Sequence, residues 1–466
     1  MELAGRNALV LGLGVSGLSM ARWLSHRGAH VRVADTRSAP PCGAQLQREL
    51  PGIPIVTGTL RPESFHNVDL IAISPGVPTA EPLVETAASR GVPVVGDIEL
   101  FAQALPTITA AKVLAITGSN GKSTVTEMTG AMCREVGLST VVAGNIGLPI
   151  LDALLTIESA AARGGCAPQV FVLELSSFQL ETTTSLDAHV AACLNLSEDH
   201  LDRYDGMAAY AQAKARVFRG SGIQVLNRQD LWSLSMALAG RTVFTFGLDA
   251  PSGKREWGLT DVQGEPWLAQ GDQKLIGVSQ LRVAGLHNAA NALAALALAR
   301  AIDLPYEPLL RALTQFEGLP HRIQQVAEID GVVFYDDSKG TNVGATVAAL
   351  GGMRLKVVLI AGGDGKGQDF GPLRSAVAAR ARAVVLIGRD SERIAQSIES
   401  SGVPMQRART MEEAVRMSLA AAHKGDAVLL SPACASFDMF RDYEHRAQVF
   451  IEAVRRLGEA GAGAAG

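Results

Sequence analysis

The stretch LAITGSNGKST, residues 114–124, reads as a phosphate-binding loop that is two residues short. The common form, G-x-x-x-x-G-K-[ST], sets its first glycine five positions before the second. Ile116 holds that place here, and Gly118 stands only three residues before Gly121. The apolar run VLAIT leads straight into the loop, which predicts a strand over 112–117, a tight turn and then a helix. Backbone N–H groups at a helix start bind anions, Lys122 offsets phosphate charge, and Ser123 or Thr124 can ligate Mg²⁺. A chance GKS is common. One that follows a buried strand predicts an ATP site built from Gly118, Asn120, Gly121, Lys122, Ser123 and Thr124.

Outward from this loop, short β-branched runs alternate with helical patterns, the signature of parallel sheets with crossover helices. The 466 residues exceed one ordinary core and suggest three domains at about 150 residues each. The expected fold is α/β, each domain on a mainly parallel sheet. A Rossmann-like domain takes 1–106, a P-loop ATPase-like domain 107–318 and a second Rossmann-like domain 319–466. Strands are expected at 7–11, 30–35, 68–73, 112–117, 170–175, 189–195, 332–336, 356–361, 383–387 and 427–430, with surface hairpins over 249–274. The tail GEAGAGAAG lacks bulky side chains and is expected to be disordered.

Composition excludes several classes. With 47% hydrophobic and 19% charged residues the chain has ample core material. A net charge of −4 and no Lys/Arg run argue against a nucleic-acid partner. The five cysteines are scattered without a C-x-x-C pair, which fits a reduced compartment and small buried thiols. The Ala/Leu-rich stretch 289–301 is too short to span a bilayer. The sequence therefore reads as a cytoplasmic protein without membrane insertion.

Other chemistry-bearing residues fall at strand ends. Gly12, Gly14 and Gly17 form G-x-G-x-x-G, and Asp35 closes the next strand. This suits a nucleotide diphosphate, a nicotinamide cofactor or a merely tight strand–helix turn. Glu174 ends strand 170–175 and His200 follows strand 189–195, so an open sheet turns both toward the phosphate-loop edge. They could hold Mg²⁺ there, although Mg²⁺ prefers oxygen. Lys214, among the alanines of AYAQAKARVF, reads as solvated. Asn288 and Asn291 lie one turn apart at a helix start, suited to a purine edge or to simple capping. YDDSKGTN and AGGDGKG place Asp337, Lys339, Thr341 and Lys366 after strands, where a second anion or a plain loop would account for them.

Together TGSNGKST, LELSSFQLE, NLSEDHLDRY, GLHNAAN, GLPHR, DSKGTN, GGDGKG and LLSPACASFD resemble the Mur ligases of peptidoglycan synthesis, in order and over nearly the whole chain. The resemblance implies an ATP-dependent carbon–nitrogen ligase that adds D-glutamate to UDP-N-acetylmuramoyl-L-alanine through an acyl phosphate. It also implies two Mg²⁺ ions, small-molecule substrates and a monomer. It assigns Asn288, Asn291, Arg322, Asp337 and Lys339 to ATP together with the loop. Val15, Ser16, Asp35, Thr36, Arg37, Ser74, Gly76, Asn145, Ser176 and His200 go to the UDP-sugar. Thr341, Lys366, Ser436 and Tyr443 go to glutamate, and Ser123, Thr124, Glu174, His200 and Lys214 to metal, Lys214 as a carbamate. Lys122, Glu174, His200 and Lys214 carry the catalysis. Tyr443 stands where the family usually has phenylalanine, and Asp336 where it has asparagine. These sites fall in different domains, so closure is expected to assemble them.

Three rival readings remain at this level. Another acceptor such as L-glutamate would use the same framework. A NAD-dependent dehydrogenase would account for the first-domain glycines alone, and a non-enzymatic ATP-driven switch for the phosphate loop alone.

Overall fold

A computed structural model describes residues 1–464 apart from Ala284 and Arg354, with side chains omitted over 460–464. Its backbone groups into two units. The first comprises Met1–Asn195, Ala209–Val278 and Asn291–Thr314; the second comprises Leu196–Ala208, Ser279–Ala290 and Gln315–Gly466.

The first unit carries two sheets. In one, β1 (Asn7–Leu11), β2 (His30–Asp35), β3 (Ile55–Thr57), β4 (Leu70–Ile73) and β5 (Val94–Val95) run in the order β3-β2-β1-β4-β5. All its neighbours are parallel. Parallel strands are covered on both faces, which is why NALVL and LIAI are almost unbroken apolar runs.

The other sheet has nine strands: β6 (Lys112–Thr117), β7 (Thr140–Gly144), β8 (Val170–Glu174), β9 (Val190–Cys193), β10 (Ile223–Asn227), β11 (Val243–Phe246), β12 (Glu256–Val262), β13 (Glu265–Gln270) and β14 (Gln273–Gly277). Their order is β14-β13-β12-β11-β10-β9-β6-β8-β7. The antiparallel pairs lie within β12–β14, the hairpins expected over 249–274. β6 therefore sits between β8 and β9, which brings the phosphate loop next to the end of β8.

Polar contacts tie helices beside the first sheet to a helix and a loop beside the second. Ser19 Oγ and Arg22 Nη1 donate to the two Asp152 oxygens at 2.9 and 2.7 Å. The Glu99 carboxylate accepts from the Thr184 and Ser185 amides at 2.6 and 2.9 Å.

The second unit holds β15 (Gln324–Ile329), β16 (Val332–Asp336), β17 (Val357–Gly362), β18 (Ala381–Ile387), β19 (Met405–Arg407) and β20 (Ala427–Leu430), in the order β15-β16-β20-β17-β18-β19. β15 is antiparallel to β16 and the rest are parallel. Val357, Leu359, Val384, Leu386 and Leu429 form one face of its core, and Phe334, Val358, Ile360, Val385 and Val428 the other.

The last helix runs Tyr443–Ala464 and so enters the segment GEAGAGAAG. Alanine is the strongest helix former, and a helix needs no bulky side chain to continue. Ala465 and Gly466 lie outside the described residues. Among the described residues no helix is long and apolar enough to cross a membrane.

Candidate active site

In the first sheet, β1 ends in a turn that only glycine fits. A Cβ on Gly17 would lie 1.9 Å from the Gly12 carbonyl oxygen, and Gly12 itself has φ +83°. Ser74 Oγ donates to that same carbonyl at 2.6 Å. Asp35 is buried and fully engaged: Leu13 N donates to it at 2.6 Å, Arg37 Nε at 2.8 Å and Arg37 Nη2 at 2.6 Å. Burial alone would raise its pKa, but hydrogen bonds from Arg37 and Leu13 outweigh it and bring the value down to about 2. Asp35 thus orients Arg37, whose side chain is 51% exposed, so the turn presents a guanidinium at the surface. Val15, Thr36 and Gly76 are exposed beside it, and Ser16 is partly so.

At the second sheet the shortened loop is pinned from below. Ser119 N donates to Asn195 O and Asn120 N to Asn195 Oδ1, both at 2.8 Å, and Asn195 Nδ2 returns a bond to Asn120 O at 3.1 Å. Gly121 has φ +83°, and Lys122 opens the helix Lys122–Glu135 with Nζ donating to Ser119 O at 3.0 Å. The loop amides and helix start make an anion site. Ser123 and Thr124 are buried in the first turn.

Glu174 ends β8 beside this loop. Its Oε1 accepts from Asn145 Nδ2 at 2.8 Å, while Oε2 is buried with no hydrogen-bond partner among the described residues. Asn145 reaches it because Gly144 has no side chain: a Cβ there would meet Glu174 O at 2.3 Å.

Lys214 overturns the solvated reading. It is 2% exposed, its Nζ donates to Gly118 O at 2.8 Å, and it lies 4.7 Å over the Tyr210 ring. Tyr210 OH in turn meets Ser119 Oγ at 3.2 Å. Helix Gly206–Ala215 is rich in alanine, and these small residues let it approach the loop closely. Asn288 and Asn291 fall inside the helix Leu286–Arg300 rather than capping it.

His200 follows β9 by seven residues, in the segment 196–208 that belongs to the second unit. In that unit Asp337 is buried and its pKa is raised to about 7, burial outweighing the Ser431 hydrogen bond (2.7 Å) and the nearby Arg322 charge. Lys339 stacks 3.7 Å over the Tyr443 ring. Lys366 is ion-paired with Asp199, and Ser436 is buried in the loop after β20. His321 Nδ1 and Asp336 Oδ2 are 2.6 Å apart. Among the described residues no group of three or more His, Cys, Asp or Glu is arranged to hold a metal.

Several anchors escape the sequence reading. Asn195 and Tyr210 hold the phosphate loop. Arg446, fully buried, donates to Ser338 O at 2.7 Å, Ser338 Oγ at 2.9 Å and Cys434 O at 3.0 Å, joining two loops of the second unit. Burial brings its pKa down to about 10. No local pattern announces such residues, since their partners are distant in sequence.

A MurD-like Mur ligase N-terminal domain model matches residues 6–96, the Mur ligase middle domain 116–299 and the Mur ligase glutamate ligase domain 321–434. The chain belongs to the Mur ligase family. UDP-N-acetylmuramoylalanine–D-glutamate ligase of Thiobacillus denitrificans is 60% identical over 98% of both chains. That of Nitrosospira multiformis is 57% identical over 99% of this chain and 98% of its own. Among solved folds, the UDP-N-acetylmuramate–alanine ligase MurC of Thermotoga maritima aligns with a TM-score of 0.62 at 20% identity, covering 97% of this chain and 99% of that one. A pseudomurein peptide ligase type C from Methanothermus fervidus gives 0.61 at 19%, covering 97% of this chain and 100% of the other. These two support the three-domain α/β fold of a Mur ligase.

Proposed function

We propose that this Mur ligase joins D-glutamate to UDP-N-acetylmuramoyl-L-alanine, forming ADP and phosphate, in the synthesis of peptidoglycan precursors. The observation that carries this reading is the 60% identity over 98% of both chains with a UDP-N-acetylmuramoylalanine–D-glutamate ligase. The substrate carboxylate attacks the γ-phosphorus and ADP leaves. The glutamate amine then attacks the acyl phosphate, loses a proton, and phosphate departs as the amide forms.

The first step brings like charges together, an interaction of several kcal/mol at about 4 Å with an effective dielectric near 20. Lys122 and the loop amides offset that repulsion and fix the γ-phosphate. Glu174 Oε2 and the hydroxyls of Ser123 and Thr124 fit Mg²⁺, which takes few protein oxygens and completes its shell with phosphate and water. The metal, as two ions, would supply further neutralisation of phosphate charge. His200 and a carbamylated Lys214 join the proposed ligands on the family resemblance, and carbamylation would turn the buried Lys214 cation into an anion.

The remaining assignments are proposals of the same standing. ATP takes Asn288, Asn291, Arg322, Asp337 and Lys339; the UDP-sugar takes the first-sheet turn with Asn145, Ser176 and His200; glutamate takes Thr341, Lys366, Ser436 and Tyr443. Domain boundaries near 106 and 318, a monomeric state and a cytoplasmic location belong to this proposal as well.

The acyl phosphate is testable. With ATP and the nucleotide sugar but no amino acid, hydroxylamine should trap a hydroxamate. Failure to trap it where full turnover proceeds would show a different activation route.

A further inference from the structure

Within the second unit, the cation assigned to the acceptor already has a carboxylate on it. Lys366 stands in the glycine-flanked turn after β17, at φ +50°, and its ammonium is ion-paired with Asp199. The two side chains are 12% and 8% exposed, so water screens the pair only partly. Asp199 comes from 167 residues earlier in the chain, in the segment 196–208. Asn342, the residue after Thr341 and the N-cap of helix Val343–Gly352, also donates to Asp199 Oδ2, at 3.3 Å. Beside these contacts, Asp369 N donates to Glu198 Oε2 at 3.1 Å. The residue following Asp199 is His200, held at φ +56°, where non-glycine residues are strained; its amide donates to Asp199 Oδ1 at 3.0 Å.

We propose that Asp199 is a further residue of the acceptor pocket, a resident carboxylate that occupies Lys366 until the carboxylate of the incoming amino acid takes its place. This rests on the assignment of Lys366 to the glutamate pocket. An aspartate side chain and a glutamate side chain end in the same group, so one ammonium serves either. Both cannot hold it at full strength, because two carboxylates on one cation repel each other. Glutamate therefore gains only the difference between its own pairing with Lys366 and that of Asp199. The resident pair sets the glutamate KM, and its exchange loosens the segment that carries His200.

The sign of the effect separates this role from a structural one. Asp199→Asn removes the competing charge, and the KM for D-glutamate should fall roughly fivefold or more, the scale of a partly buried ion pair. The KM values for ATP and the nucleotide sugar should stay within about twofold. Asp199→Glu keeps the charge and should hold the glutamate KM near that of the unmodified enzyme. A glutamate KM that is unchanged or raised in folded Asp199→Asn overturns the proposal, because Asp199 would then assist the bound acceptor rather than compete with it.

If that variant does not fold, hydrogen exchange in the unmodified enzyme decides, with the nucleotide sugar and a non-hydrolysable ATP analogue present. Adding D-glutamate should raise exchange over 196–208 and adding glutamine should not; equal exchange in both overturns the exchange of partners. Absence of glutamate-dependent turnover in the unmodified enzyme would instead sink the assigned function, and is read before either variant is made.

Discussion

Replacing Gly121 by alanine strikes the phosphate loop at the point where its geometry is tightest. Gly121 has φ +83°, which costs a non-glycine residue about 1–2 kcal/mol. The added methyl would also lie 2.4 Å from Asn291 Oδ1, so the amide must turn away. Losing the placement of one hydrogen-bonding group costs about 1 kcal/mol more. The backbone can relieve its strain only by leaving the left-handed turn, and then the loop amides no longer converge on phosphate. Both costs therefore appear in nucleotide affinity, together about 2–3 kcal/mol or roughly 30- to 150-fold in the ATP dissociation constant. Isothermal titration with ATP measures this, and Gly137→Ala is the control. Gly137 also has a positive φ, +90°, but a Cβ there meets nothing within 4 Å. That variant should lose melting temperature and keep its ATP affinity. If Gly121→Ala binds ATP within about threefold of the unmodified protein, the reading of this loop is wrong.

Lys122→Ala should cut turnover at least about 100-fold with little change in melting temperature, the scale of removing one electrostatic stabiliser; near-normal turnover in folded protein would remove the loop from the mechanism. Carbon-13 bicarbonate should give a carbamate NMR signal that vanishes in Lys214→Ala, and a spectrum of the unmodified enzyme without that signal would leave Lys214 a buried ammonium. Lys214→Arg should damage turnover about as much as alanine, because a guanidinium stays cationic. Asp337 binds its proton more tightly folded than unfolded, its pKa raised by burial to about 7. Its contribution to stability is therefore present below about pH 4 and lost as the pH rises through about 7. The melting temperature of the unmodified protein should fall relative to Asp337→Asn across that window, and parallel curves would contradict the shift.

The parts of the fold legible in the sequence are those whose chemistry is local. β1, β2, β6, β16 and β20 are apolar runs bounded by turn residues, and they stand where the sequence puts them. β15, reading QQVAEI, is a half-exposed edge strand whose polar residues mask its pairing. The ends of β6 and β8 are likewise readable, which is how Lys122 and Glu174 come to share one edge. What is not readable depends on distant partners. Lys214 reads as solvated because its alanine-rich helix shows no apolar stripe, yet those alanines admit the loop closely enough to bury it. Asp199 sits in a polar run, and only the fold brings Lys366 to it.

The most direct test of the account is the identity of the amide formed. The enzyme is incubated with ATP, Mg²⁺ and UDP-N-acetylmuramoyl-L-alanine, with D-glutamate and L-glutamate in separate reactions, and the nucleotide product is weighed by mass spectrometry while phosphate is counted. One glutamate should be added per phosphate released with the D enantiomer, with strong discrimination against the L form. Product from L-glutamate alone, or phosphate released without any amide, would contradict this.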